Sequence, residues 1–165
     1  MPGSKFFIPL ALLLLWFGGR AWYFAPAAQE NELAPEFTAV RADGQTFALS
    51  DLRGKKVLLD FWGSWCGPCR RESPALAQLN KQYADELTIV SIAIERDSSA
   101  WIRARSQDAR VWPYQVFSPS SSLKFLNGEL PDLYGINRVP SNVLVDEEGR
   151  VLGVNMNLDE VATAL

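Results

Sequence analysis

The chain has 165 residues, 48% hydrophobic and 21% charged, with 16 Lys and Arg, 19 Asp and Glu, and no histidine. That is enough for one globular domain plus a short extra segment and leaves no room for a second core of ordinary size. A formal net charge of −3 with no basic run argues against a nucleic-acid binder, which requires a basic face. With only two cysteines and no histidine, a self-contained zinc site of about four nitrogen and sulfur ligands is excluded as well.

Phe6 to Gly19 is an almost unbroken apolar run, preceded by Lys5 and followed by Arg20. Its length suits the core of an export signal, while a spanning helix of about 20 residues is reached only by extending to Ala25 with Arg20 snorkelling to the interface. Trp16, Trp22 and Tyr23 are placed to anchor at the interface, and Ala25-Pro26-Ala27 offers a small-residue cleavage pattern, so residues 1–25 read as a membrane anchor or a cleaved signal. All the acidic side chains and all but two of the basic ones lie after residue 25, so the exported part is more acidic than the whole. Residues 26–35, polar and rich in Ala, Glu and Pro, read as a linker, and the domain as 36–165.

Within the domain, Phe37–Arg41 and Thr46–Leu49 flank an Asp43-Gly44 turn signal and predict a hairpin. Lys56–Trp62 is too apolar for a half-exposed strand and fits a central one covered on both faces. Leu76, Leu79 and Tyr83 recur at helical spacing between Pro68 and Ala84, with a kink expected at Pro74. Thr88–Ile94 reads as a second buried strand, Ser98–Ala109 as a helix capped by serine, and Tyr114–Phe117 as a short strand. After the Ser118–Ser122 loop, Gly128 and Pro131 interrupt an apolar stretch ending at Tyr134. Asn142–Val145 and Val151–Val154 predict a second hairpin, and Leu158–Leu165 a closing helix.

The two cysteines lie in Trp65-Cys66-Gly67-Pro68-Cys69, directly after the Lys56–Trp62 run. A strand followed at once by a helix places Cys66 at the helix N-terminus, where unpaired N–H groups and the macrodipole favour thiolate, the species that attacks disulfides. Cys69 is three residues on, within the first turn, placed to close a ring with Cys66 and expel a bound partner. Pro68 suits a first turn because its missing N–H would have no partner there. A structural disulfide is a poor alternative, because a two-residue loop gains little from closure.

The segment Asp60-Phe61-Trp62-Gly63-Ser64-Trp65-Cys66-Gly67-Pro68-Cys69-Arg70 resembles the active site of the thioredoxin superfamily. The upstream Phe37–Val40 and Leu49–Lys55 segments resemble its TlpA/ResA-like thiol-disulfide oxidoreductases. The resemblance implies a central mixed sheet with helices on both faces and an added N-terminal hairpin. It implies dithiol-disulfide exchange without cofactor or metal, with Cys66 exposed as nucleophile and Cys69 shielded. Gly67 and Pro68 match the thioredoxin dipeptide, and Trp65 is expected as a partner platform, with Trp62 packed behind it.

Asp60 sits on an apolar strand, where an acid is costly unless it has a task. Its match to a thioredoxin aspartate makes it a candidate to accept the Cys69 proton, the alternatives being a water channel or a pair with Lys55 or Lys56. Glu95, at a strand end, resembles an acidic residue placed near the cysteines in ResA-like members; the alternative is a solvated side chain beside Arg96. Val139-Pro140 falls where the superfamily has a cis-proline whose preceding backbone pairs with substrate, so Val139 is the expected docking residue; an ordinary trans proline at a strand start is the alternative.

The family reading is an extracytoplasmic reductase of exported disulfide proteins, with cytochrome c apoproteins or copper-site assembly factors among the candidates. It would be fed by a membrane-bound electron donor and anchored on the periplasmic side. A disulfide-forming oxidant is one alternative, differing only in potential, about 30 mV being worth about 1.4 kcal/mol for a two-electron couple. A Cu(I) chaperone using both thiolates is another. Ser64-Trp65-Cys66 does not match the peroxidase pattern of peroxiredoxins.

Overall fold

The computed structural model describes residues 28–165, so the apolar segment Phe6–Gly19 and the choice between anchor and cleaved signal lie outside the described residues. Among the described residues no helix is long and apolar enough to cross a membrane. The elements are β1 (Thr38–Val40), β2 (Thr46–Ala48), a 3-10 turn (Leu49–Leu52), β3 (Lys56–Trp62), α1 (Gly67–Gln82), β4 (Leu87–Glu95) and α2 (Ser98–Gln107). They continue with β5 (Tyr114–Pro119), α3 (Glu129–Leu133), β6 (Ser141–Val145), β7 (Val151–Val154) and α4 (Leu158–Thr163).

Five strands form one sheet in the order β5-β4-β3-β6-β7, with β5, β4 and β3 parallel, β6 antiparallel to β3, and β7 antiparallel to β6. β3 is central, and Val57 to Trp62 are all buried, as its apolar sequence requires of a strand covered on both faces. Alternation sends Val57, Leu59 and Phe61 to one core and Leu58, Asp60 and Trp62 to the other face. Two successive right-handed crossovers running the same way, β3 to β4 to β5, put α1 and α2 on one face. There Leu76 and Leu79 of α1 and Trp101 and Ala104 of α2 pack on the sheet, joined by Val161 of α4. The chain then returns across the sheet to β6, which places α3 and the β1-β2 hairpin on the opposite face, with Phe37, Phe47, Leu130 and Tyr134 in its core. Helices therefore lie on both faces, as expected, three against one.

The hairpin turns at Gly44, whose φ of +85° is open to glycine and strained for other residues. The hairpin extends toward the β5 edge through an Arg41–Val116 bridge, while Asn31, Glu32 and Ala34 hydrogen-bond along the β7 strand and its turn. The later part of the expected linker is thus docked, with Ala28 and Ala34 buried, and both sheet edges are partly covered.

Local details differ from expectation for identifiable reasons. Leu49 turns into the 3-10 segment, where Asp51 accepts the Ala48 N–H. α2 is capped by Asp97, whose carboxylate takes the Ser99 N–H, because an ionised acceptor one residue earlier outcompetes the serine hydroxyl. α2 stops before Ala109, which adopts φ of +52°. In line with expectation, Pro74 lies inside α1, and the stretch interrupted by Gly128 and Pro131 holds no long helix, only the five-residue α3.

Leu58, fully buried between α1 and β6, tests this packing. Leu58→Ala is expected to lower stability by about 2–5 kcal/mol in urea denaturation, whereas Leu33→Ala at an exposed position changes it by no more than about 0.5 kcal/mol.

Candidate active site

The short turn Gly63–Cys66 joins β3 to α1, and Cys66 is the N-cap residue of α1: its Sγ accepts the Cys69 N–H at 3.2 Å. Cys66 and Cys69 form a disulfide with Cα atoms 5.3 Å apart. Cys69 is 1% exposed and Cys66 only 5%, so the expected order holds, but the expected open exposure of Cys66 does not. Val139, Phe117 and Trp101 pack around the pair in one cluster with Trp62 and leave little of its sulfur bare.

Three elements frame the opening. Gly67 and Pro68 are exposed on the first turn of α1. Trp65 is 42% exposed, its indole N–H donating to the Ile94 carbonyl at 2.9 Å and its ring lying across Gly63, where an added Cβ would stand 2.5 Å from Nε1. Val139-Pro140 is cis, and the Ser141 hydroxyl donates to the Arg138 carbonyl just before it. Beside Pro140 opens a pocket of about 290 Å³ lined by Glu72, Arg138, Ser141, Asn142 and Met156. A larger cavity, about 460 Å³ beside Lys55, Leu87 and Thr88, lies at the opposite ends of β3 and β4, away from the sulfurs.

Asp60 is buried, and neither Lys55 nor Lys56 meets it: Lys55 reaches the Ala84 carbonyl, and Lys56 the Leu165 carbonyl and Glu147. Its partner is Arg110, whose Nη1 donates to Oδ2 at 2.6 Å, with the Ser91 hydroxyl donating to the same oxygen at 2.8 Å. The register makes Ser91 available, since Asp60 lies opposite Ser91 on β4 and Asn142 on β6. The acid on the apolar strand is therefore compensated by a cation, which removes the supposition that it stands alone.

Glu95 also departs from the solvated alternative. It is buried, accepts the Ser64 N–H at Oε1 and the Ser64 hydroxyl at Oε2 at 3.1 Å, and among the described residues forms no pair with Arg96. Burial raises its proton affinity above the usual glutamate range, the Ser64 hydrogen bonds oppose that, and the Asp97 charge adds to it. It holds the turn bearing Trp65 and Cys66 and bonds to neither sulfur.

Two residues escaped the sequence reading. Glu72, three residues past Cys69 and hence on its side of α1, is half-buried. Burial first, and then the Asp60 charge, raise its proton affinity, while Arg110 lowers it. Its spacing from Cys69 was a usable signal. Arg110 had none, because it meets Asp60 across 50 residues of chain.

Two sulfurs that can bond either to each other or to a third make thiol-disulfide exchange the chemistry available here, and the class so defined is the thiol-disulfide oxidoreductases of the thioredoxin superfamily. The chain belongs to the Redoxin family, which it matches over residues 29–162. It is 33% identical over 129 residues to the thioredoxin-like protein YneN of Bacillus subtilis, covering 78% of this chain and 72% of that one. It is 32% identical over 124 residues to the thiol-disulfide oxidoreductase ResA of Bacillus thuringiensis, covering 72% and 65%. Among solved structures, the thioredoxin domain of a thiol-disulfide oxidoreductase from Bacteroides vulgatus superposes with a TM-score of 0.71 at 28% identity, covering 82% of this chain and 94% of that one. The thiol:disulfide interchange protein DsbE from Chlorobium tepidum gives 0.70 at 28% identity, covering 83% and 94%.

Because native Glu95 binds its proton more tightly than the unfolded chain does, its contribution to stability declines as pH rises from the usual glutamate range through its raised native value. Glu95→Gln is expected to gain in thermal midpoint relative to the parent between mildly acidic and neutral pH. A difference between the two proteins that does not vary with pH would refute this.

Proposed function

We propose that the protein works outside the cytoplasmic membrane as a reductant of disulfides in exported proteins, held to the membrane by residues 1–25, with 36–165 as the catalytic domain. The observation that carries the exchange mechanism is Cys66 at the N-cap of α1, with Cys69 enclosed one turn behind it. The reducing direction is supported by the Gly67-Pro68 dipeptide, which resembles that of thioredoxin, and export by the apolar run after Lys5 and by the use of a single cysteine pair. Proteins of cytochrome c or copper-site maturation are the substrate classes this reading favours, with a membrane-bound donor returning electrons.

In the proposed cycle the Cys66 thiolate attacks one sulfur of a substrate disulfide. A Cys66–substrate bond forms, the substrate bond breaks, and the departing sulfur takes a proton. Cys69 then loses its proton and attacks Cys66 Sγ. The Cys66–Cys69 bond forms as the second substrate sulfur leaves with the electron pair and is protonated, so the substrate gains two electrons from the protein and two protons, one lost by Cys69 and one supplied by solvent, to which Cys66 had already given its own. Glu72 and Asp60 are the carboxylates on the inner side of Cys69. Burial raises the proton affinity of Glu72, which suits it to accept the Cys69 proton, and Asp60 forms an ion pair with Arg110. Glu95 acts as a positioning residue through Ser64. Trp65, Gly67 and Pro68 on one side and Val139 and Pro140 on the other form the surface for an extended substrate segment.

Cys69→Ser is expected to accumulate a mixed disulfide with exported proteins, resolvable by added dithiol, while Cys66→Ser accumulates none and neither variant reduces insulin. A redox titration of the parent completes the test: a strongly oxidising potential without insulin reduction would overturn the reducing assignment, and absence of any trapped species would overturn the exchange mechanism.

A further inference from the structure

The most unusual buried group in the domain is Arg110, on the connection between α2 and β5, 2% exposed and with a fully enclosed side chain. A guanidinium at that depth costs several kcal/mol unless it is paired and its donors are used. Here they are: Nε donates to the Ser73 hydroxyl at 2.9 Å, Nη1 to Asp60 at 2.6 Å and to Ser91 at 3.2 Å, and Nη2 to the Cys69 carbonyl at 3.2 Å. The plane lies on Trp62, 3.9 Å from its ring centroid. Pairing with Asp60 alone would satisfy the charge. What that leaves unexplained is the grip on Cys69 and Ser73, one helical turn apart on the inner face of α1, by a side chain arriving from the far end of α2.

We propose that Arg110 is a positioning residue for the resolving step. By bonding the Cys69 carbonyl and the Asp60 carboxylate together, it fixes the first turn of α1 to the sheet floor and sets the local field in which Cys69 gives up its proton. The proposal rests on the dithiol-exchange reading above and deepens it. The second attack, by Cys69 on Cys66, depends directly on the placement this arginine controls; the first depends on Cys66 and the helix N-terminus, which Arg110 reaches only through Cys69. The charged and titratable groups facing this point are Asp60 from β3, Glu72 from α1 and Glu95 from β4 beneath Ser64, with the Arg70–Asp108 pair on the outer side of α1. On the remaining packed positions stand Ser91, Trp101 and Trp112, which carry no charge. Arg110 lowers the proton affinity of Glu72, so its loss favours the protonated form of that acid.

The test separates the two half-reactions with a disulfide-bonded peptide. In a Cys69→Ser background, Arg110→Met is expected to slow mixed-disulfide formation far less than it slows resolution. With Cys69 present, Arg110→Met is expected to slow resolution of the mixed disulfide on the order of 10- to 100-fold, the penalty typical of a misplaced reacting group. The pH midpoint of resolution should move upward, with Arg110→Lys restoring part of both. Equal slowing of both steps, or unchanged resolution in a folded variant, would overturn the proposal. If Arg110→Met does not fold, the neutral pair Asp60→Asn with Arg110→Met carries the same comparison, because replacing both members of a buried ion pair is tolerated better than removing one. Failure of the underlying reading looks different: the Cys69→Ser protein with Arg110 intact would then form no mixed disulfide with the peptide.

Discussion

Everything in this site depends on one junction, the four residues Gly63–Cys66 that join the end of β3 to the start of α1. β3 is buried on both faces and ends at Trp62, and the next few residues must satisfy a helix start whose first N–H groups have no backbone partner. Cys66 supplies an acceptor for one of them through its own sulfur. The same donors and the same dipole that make the sulfur an acceptable cap stabilise it as an anion. Cap and nucleophile are therefore one solution to one local deficit, and the position of Cys69 in the first turn follows from helical geometry.

Around that junction the protein handles three buried or half-buried carboxylates in three ways. Asp60 is matched with a cation, Glu95 is given the backbone N–H and hydroxyl of Ser64, and Glu72 is left at the rim of the pocket beside Pro140. The consequences differ accordingly. The paired acid becomes part of the scaffold, the hydrogen-bonded one ties a loop, and the half-buried one keeps a raised proton affinity.

Topology explains why the sheet face beneath Cys69 is so crowded. Two same-handed crossovers in one direction stack α1 and α2 side by side over Leu58, Asp60 and Trp62, and the exit from α2 brings Arg110 and Trp112 into the seam between them. The opposite face, covered by the hairpin and α3, is an aromatic and aliphatic core in which Phe37, Phe61 and Tyr134 meet edge to face or tilted. One face serves chemistry and the other cohesion.

The sequence by itself was sufficient for the strand-helix alternation, the two hairpins, the cysteine pair at the helix start, and the Val139-Pro140 loop. All of these are encoded in short spacings, in apolar runs or in a motif whose parts are neighbours in the chain. It was insufficient wherever a side chain meets one from a distant segment. Asp60 was legible as an anomaly on an apolar strand, but its partner lies 50 residues on, in a stretch with no periodicity or motif to announce it. Glu95 looked like a solvated strand end because only the packing of the Ser64 turn over β4 closes water out. Local pattern fixes what each segment becomes; which charges are buried together is decided by how the sheet is threaded, and that information is spread over the whole chain.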